Sequence, residues 1–575
     1  MSRSRKPTQA QREALAALEG IARAGGSPLI EVTDLGVKEH HAGIRIRFRT
    51  VDIEHVPEGL QLEPEEDVLF LIPPSFPWHV PETLVDHERF VGFAHVLQGS
   101  RLCIYMNPAQ EWHPNKGIVG FLNDVWKWFE DAATGRFDAS QALFHPVGGV
   151  VHRTPGTPLV VVRYAHDFGA HTFLHAQLKF RSADRLDLLA GDPEDGASPI
   201  LLVTLSGPLQ YGAGTTIGSL LKRIARLGHP KVRDFAALLA QSAARGAEGT
   251  PTYFLLALPF PSKSGHMEYH LVAGRLPSNV SDQLRRAAAK AGALTEATDR
   301  ELPSDTQIEW CRVSDERESI TTRRDVTRPV NSLLRTDVEL WGCGGLGAWM
   351  GEFVARAGAK RITLCDPFLV TGGLLVRQDY VEDDIGRSKA DALAERLRAI
   401  RDDLVVVTRP EGIVSAVSDG NLPDCDLLID ATVNTSVSAL VSGIWDDTKN
   451  RPVVASVAID AASGTLGIAT VATPGGQPSV AQVDDYAGGR VAGDPDLERF
   501  LSLWEEPTTS DEIVPTRGCS VPTFHGSAAD LAAIAGVLLN LVSPHIRSDS
   551  PGAHLAALPH APGQGPAHFW IPYKG

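Results

Sequence analysis

Apolar and polar positions give the chain three textures. Over residues 8 to 24 the apolar side chains recur at helical spacing and predict an amphipathic helix; alternation around Gly43 to Thr50 and Val68 to Ile72 predicts strands. A proline-rich turn follows, and helical spacing returns near Ile118 to Ala132. Between about 146 and 325 come the strand-like runs LVVVRYA, ILLVTLS and YFLLALPF, with helical stretches at 217 to 227 and 231 to 245. From 326 onward strand and helix alternate: VELWG, a helix to Gly358, RITLC, a helix through 387 to 401, LVVVT, CDLLID and PVVASVAI. That alternation predicts a parallel sheet with right-handed crossovers, in which ligands bind at the carboxyl ends of the strands.

The expected organisation is therefore an α+β domain over 1–145, a mixed α/β linker domain over 146–325 and an α/β domain over 326–575. A length of 575 residues agrees with several cores rather than one, and 43% apolar with 22% charged residues is the balance of a globular protein. Charge narrows the partners: 54 basic against 70 acidic residues leave −16, which repels a nucleic-acid backbone. The short basic run of Arg3, Arg5 and Lys6 reads as a solvated tail. No run of about 18 apolar residues and no secretory leader stands out, so no membrane and a cytoplasmic location are expected. The six cysteines, at 103, 311, 343, 365, 425 and 519, form no C-x-x-C pair, and the histidines of the middle segment show no metal-ligand spacing.

Chemistry concentrates in the last segment. WGCGGLGAW contains G-x-G-x-x-G as Gly342, Gly344 and Gly347, with Gly345 inside it, directly after a predicted strand. Such a loop cradles phosphates at a helix N-terminus, whether they belong to a hydride-carrying dinucleotide or to ATP. Asp366, closing RITLC, has the spacing of a ribose-binding acid. Arg377, Gln378 and, after D-x-G at 384–386, Lys389 cluster cationic and polar groups near the phosphates, which suits leaving-group charge in nucleotidyl transfer better than hydride transfer. Asp430, at the end of CDLLID, can offer a carboxylate oxygen to magnesium.

In their order, GCGGLG, the acid of CDP, the RQ pair, DIGxxK and LLIDAT resemble the ThiF/MoeB-type adenylating enzymes, a group that includes ubiquitin-activating enzymes, over about residues 326 to 545. The resemblance implies a Rossmann-like domain, ATP with Mg2+, and a homodimer in which the partner subunit often supplies an arginine; Arg323, Arg324 and Arg328 are candidates here. Leu374 stands where the family's N-L-x-R-Q carries asparagine, which removes a polar contact to the nucleotide. In PTRGCSVPTFHGSAADLAAIAG, Cys519 precedes a helix whose expected N-cap is Ser527, with Asp530 three residues on. The family likeness makes it the thiol that captures the acyl adenylate as a thioester.

The N-terminal segment resembles the ubiquitin-conjugating fold through Pro73, Phe76, Pro77, His95, Gly99, Cys103, Trp112 and Pro114. Cys103 is then the second thioester cysteine. Here too a residue departs: Leu97 replaces the asparagine that stabilises an oxyanion in the family, and the HPN at 113–115 falls after the cysteine. His113 and His525 could serve as general bases, but a histidine without an evident partner is more often structural or merely exposed.

Together the two likenesses resemble bacterial fusions of ubiquitin-activating and ubiquitin-conjugating modules, as in CBASS antiphage operons. The implied reaction is ATP-dependent activation of a protein's C-terminus, of a cyclic-oligonucleotide synthase or a ubiquitin-like protein, then a thioester on Cys519, transfer to Cys103 and ligation to a lysine or other amine. A ThiF/MoeB-type adenylyltransferase for sulfur transfer or cofactor biosynthesis would share the core without the conjugating step. A dehydrogenase or a scaffold with inert thiols are the remaining classes.

Overall fold

The structure, a computed structural model, describes every residue except 1–5, 86–88, 91–92, 94, 98–100, 138–153, 164–172, 190–195, 208–215, 227–231, 262–266, 291–301, 322–325, 418–419, 506–525, 564 and 575. It divides into two compact units, Met1–Thr321 and Thr322–Gly575.

The first unit begins with α1 (Gln9–Ala24), started by a reciprocal cap: the Thr8 hydroxyl accepts from Gln11 N, and the Gln11 side chain accepts from Thr8 N. Gln11 is buried because its amide also donates to the Ile72 carbonyl at 2.8 Å, fixing the helix to the sheet. That sheet is antiparallel, with β1 (Leu29–Lys38), β2 (His41–Arg49), β3 (Glu65–Ile72), β4 (Glu82–Leu84), β5 (Val96–Leu97) and β6 (Arg101–Leu102) in the order β1-β2-β3-β4-β6-β5. Alternation in β2 sends Ile44, Ile46 and Phe48 inward, where α2 (Gly117–Ala133) meets them with Phe121, Val125 and Phe129. Phe48 and Phe129 pack edge to face at 5.7 Å.

A second sheet in this unit has β7 (Leu159–Val162), β8 (Phe173–Ser182), β9 (Arg185–Leu188), β10 (Ser198–Thr204), β11 (Thr252–Pro261), β12 (Met267–Leu276), β13 (Glu309–Cys311) and β14 (Val313–Asp315), in the order β13-β12-β11-β10-β8-β9-β7-β14. β10 runs parallel to β11, and its ILLV run is apolar throughout because both faces are covered. Ile200 and Leu202 enter one core, and Leu201 and Val203 the other, with α3 (Ile217–Arg226) and α4 (Val232–Arg245) over the latter. A further helix, α5 (Ser278–Lys290), packs against α4.

The second unit holds β15 (Asp337–Trp341), β16 (Arg361–Cys365), β17 (Val405–Arg409), β18 (Leu427–Asp430), β19 (Val453–Ile459), β20 (Leu466–Ala472), β21 (Gly552–Ala557) and β22 (Ala567–Pro572), ordered β17-β16-β15-β18-β19-β20-β21-β22. The first five are parallel as expected; β20, β21 and β22 extend the sheet antiparallel, which the strand-helix alternation did not foretell. The reason is local. Residues 460–465 are too short for a crossover, which takes a dozen residues or more. They fold instead around buried Asp460, whose carboxylate accepts from the amides of Ser463, Thr465 and Leu466.

The helices of this unit are α6 (Gly345–Arg356), α7 (Lys389–Ile400), α8 (Thr435–Trp445), α9 (Val480–Ala492) and α10 (Ala528–Val542). Ser527 caps α10 with Asp530 as expected. One helical run, Ala528–Arg547, interrupted by Asp530, Asn540 and His545, is long and apolar enough to cross a membrane by length and composition only. Leu531, Ile534, Ala535, Leu538, Leu539 and Val542 are buried in the main core of the unit.

Candidate functional site

From β15 the chain goes first to β16 and β17 on one side and then to β18 on the other, so strand order reverses between β15 and β18. Open α/β sheets bind ligands at that reversal, beyond the strand ends. Trp341, the last residue of β15, pairs with Asp430, the last of β18, and the glycine loop starts at the next position.

Each glycine of the loop meets a physical demand. Gly342 has φ +83°, and a Cβ there would lie 2.9 Å from the Ala431 carbonyl oxygen. At Gly347 a Cβ would fall 1.8 Å from the Gly342 carbonyl oxygen, so only glycine lets α6 approach the loop. Gly344 is the N-cap of α6 and offers no side-chain cap, which leaves the first amides of the helix, beginning with Gly345, available to an anion.

Asp366 is buried, and its two oxygens accept from the amides of Cys343 and Phe368, each at 2.8 Å. It therefore braces the glycine loop, a duty additional to the ribose contact its spacing suggested. Lys389 opens α7, is 7% exposed, and has no carboxylate within ion-pair distance among the described residues; its Nζ stands 5.9 Å from the centre of the Phe368 ring. Arg377 Nε and Gln378 Oε1 are buried without hydrogen-bond partners. Gln378 also borders the loop, its Nε2 being the nearest atom, at 3.9 Å, to a Cβ built on Gly344. Asp430 is 3% exposed, accepts from the Thr432 hydroxyl at 2.6 Å and the Thr432 amide at 3.0 Å, and has its carboxyl pushed up by burial, against the pull of those two bonds. No group of three or more metal-ligating side chains occurs among the described residues, so any cation at Asp430 would need ligands from outside them.

Three contacts here escaped the sequence reading. The Tyr380 hydroxyl donates to the Cys343 carbonyl at 2.7 Å, and Trp349 Nε1 donates to the Arg377 carbonyl at 3.2 Å. Arg396 on α7 pairs with Asp379 at 2.7 Å and Glu352 at 3.1 Å, tying the segment after Gln378 to two helices. Cys343 and Cys365 are buried with thiols raised chiefly by burial, as packing residues should be. Half-buried Cys425 has its thiol raised by the same cause.

Cys519 and His525 lie outside the described residues, as do Arg323 and Arg324. Ala528, nine residues after Cys519 in the sequence, donates its amide to the carbonyl of Val376, the neighbour of Arg377.

In the first unit Cys103 is half-buried just after β6; its amide donates to the His95 carbonyl at 2.8 Å and its Sγ to the Tyr105 carbonyl at 3.4 Å. Burial, helped by the charge of Glu111, pushes its thiol up to about 11. Tyr105 donates to Asp124, which also binds Lys116 at 2.8 Å. Trp112 Nε1 donates to the Pro77 carbonyl at 2.8 Å, joining the two turns that the sequence pattern had marked. His113 uses Nδ1 to accept from Asn115 N at 3.2 Å, so it caps a turn. Gly99 lies outside the described residues, and Leu97 pairs with Arg101 through the β5–β6 ladder.

Three families match the chain: the ThiF family over residues 318–528, prokaryotic E2 family A over 38–155, and the Cap2 central linker domain over 199–316. An uncharacterized protein, y4oA of Sinorhizobium fredii (strain NBRC 101917 / NGR234), is 26% identical over 224 residues, 36% of this chain and 35% of that one. The tRNA threonylcarbamoyladenosine dehydratase of Escherichia coli (strain K12) is 38% identical over 84 residues, 14% of this chain and 28% of that one. The chain thus spans about a third of the length of these curated relatives. The crystal structure of PaaA aligns with a TM-score of 0.31 at 18% identity, over 43% of this chain and 67% of that chain. With an E2-like domain, a Cap2-type linker and a ThiF domain in that order, the chain has the architecture of the CBASS-type, Cap2-like fusions of ubiquitin-activating and ubiquitin-conjugating modules.

Proposed function

We propose that this chain uses ATP to activate the C-terminal carboxylate of a protein and passes the acyl group through two cysteines to an amine. The observation that carries the ATP half is the buried positive charge beside the glycine loop: Lys389 lacks a carboxylate partner among the described residues, and Arg377 keeps an unbonded buried Nε. A nicotinamide dinucleotide would leave that charge without a purpose at the reacting end, whereas a triphosphate supplies its counter-charge.

A carboxylate oxygen of the acyl donor bonds to the α-phosphorus as the bond to the bridging oxygen breaks and pyrophosphate leaves. Lys389 and Arg377 offset the charge on the departing group, and the free amides of α6 hold the phosphates in line. Asp430 would hold Mg2+, and the cation would further neutralise phosphate charge. Asp366, besides bracing the loop, would take the ribose.

The Cys519 thiolate then attacks the acyl carbon and AMP leaves. Cys103 loses its thiol proton as it attacks the thioester and displaces Cys519, which gains one, and an acceptor amine, a lysine for instance, loses a proton and displaces Cys103 to form an amide. Each step exchanges one acyl bond for another, so the energy of ATP is conserved until the acceptor is in place. A cyclic-oligonucleotide synthase or a ubiquitin-like protein would be the donor, and a homodimer through the ThiF unit the working form.

The test is exchange of labelled pyrophosphate into ATP in the presence of candidate donor C-terminal peptides. Donor-dependent exchange is expected; no exchange, together with saturable binding of NAD, would overturn the reading in favour of a hydride enzyme.

A further inference from the structure

The amides of a phosphate loop attract an anion, but its carbonyl oxygens repel one, so a peptide plane that serves the anion must be held with its N–H outward. In this loop the first two planes do not serve it, because their N–H groups are already bonded within the protein. Gly342 N donates to the Cys365 carbonyl at 2.8 Å, and Cys343 N to Asp366 Oδ2 at 2.8 Å. The third plane, between Cys343 and Gly344, borders the start of α6 and has glycine on one side, which by itself gives little resistance to a flip.

Tyr380 acts on that plane. Its hydroxyl has one hydrogen and two carbonyls in range, Cys343 at 2.7 Å and Lys389 at 3.3 Å, and the shorter contact takes the hydrogen. Tyr380 is only 6% exposed, so the Cys343 carbonyl is drawn toward the protein interior. In a trans peptide the carbonyl and the following N–H point opposite ways, and Gly344 N–H is thereby turned outward. Burial holds the Tyr380 phenol above its ordinary range, which keeps it a neutral donor. The second carbonyl in reach belongs to Lys389, so one hydroxyl lies between the loop and the first residue of α7.

We propose that Tyr380 is a positioning residue for the nucleotide phosphates: by holding the Cys343 carbonyl inward it presents the Gly344 amide to them. This rests on the reading of the site as an ATP site. No motif marks the residue, which stands two places after Gln378 in a segment without periodicity.

The test is Tyr380→Phe in the full chain, which keeps the ring in its pocket and removes only the donor. ATP affinity is measured by titration calorimetry and adenosine affinity by competition, with a thermal melt of the nucleotide-free protein as the check on folding. The expected result is ATP binding weakened about tenfold, the worth of one good hydrogen bond, with adenosine binding and the melt close to wild type. Equal ATP affinity in variant and wild type would overturn this inference alone, as would an equal loss for ATP and adenosine. Failure of the wild-type protein to bind ATP would overturn the proposed function and this inference with it.

Discussion

Replacing Lys389 with methionine should strengthen the fold and disable the site at once. The residue is 7% exposed, its ammonium faces no carboxylate within ion-pair distance among the described residues, and the centre of the Phe368 ring lies 5.9 Å from it. A buried charge without a partner costs several kcal/mol after relaxation, of which a cation–ring contact at that distance returns about 0.5–1 kcal/mol. Methionine keeps the unbranched stem and removes the charge, so the nucleotide-free protein should gain about 1–2 kcal/mol, a rise of roughly 2–6 °C in the melting of this unit. With a triphosphate bound the balance reverses. A charge pair at about 4 Å and an effective dielectric near 20 is worth about 4 kcal/mol, so ATP affinity should fall by about two to three orders of magnitude. Calorimetric melts with and without ATP read both effects. A lower melting temperature without ATP, or an ATP-induced stabilisation equal to wild type, would refute the reasoning.

Two further outcomes follow from particular contacts. Gly347→Ala must push a Cβ from 1.8 Å off the Gly342 carbonyl oxygen, backbone against backbone, so it should cost about 2–4 kcal/mol in denaturant unfolding and abolish ATP binding; wild-type affinity would contradict the packing argument. Cys103, raised to about 11 by burial and then by Glu111, is a thiol at neutral pH. The negative charge of Glu111 disfavours the thiolate, so Glu111→Gln should move the midpoint of iodoacetamide labelling of the Cys103 peptide to lower pH, and an unmoved or raised midpoint would remove Glu111 from the account.

What could be read from the chain differs by residue. Gly342 and Gly347 were legible because backbone geometry admits no other residue type there, Gly344 only through its spacing from them, and Asp430 because a carboxylate ending an apolar strand is conspicuous. Asp366 was legible by spacing, while its bonds to the amides of Cys343 and Phe368 depend on how the loop folds back over β16. Tyr380 and Arg396 were invisible: both act through tertiary approach, one to a carbonyl 37 residues earlier, the other to Glu352 44 residues earlier. The three antiparallel strands of the last sheet were missed because β20 is an apolar run buried along its whole length, and only the shortness of residues 460–465 marks its reversal. His113, which the sequence favoured as structural or exposed over a base, accepts from the Asn115 amide as a turn cap.

The central claim is a relay from Cys519 to Cys103, and mass spectrometry of each cysteine peptide during a single turnover with ATP and labelled donor tests it most directly. The account predicts a thiol-labile acyl mass on the Cys519 peptide first and on the Cys103 peptide later, with Cys103→Ala trapping the label on Cys519. Reducible conjugates that persist in Cys519→Ala, or label that never reaches Cys103, would contradict it.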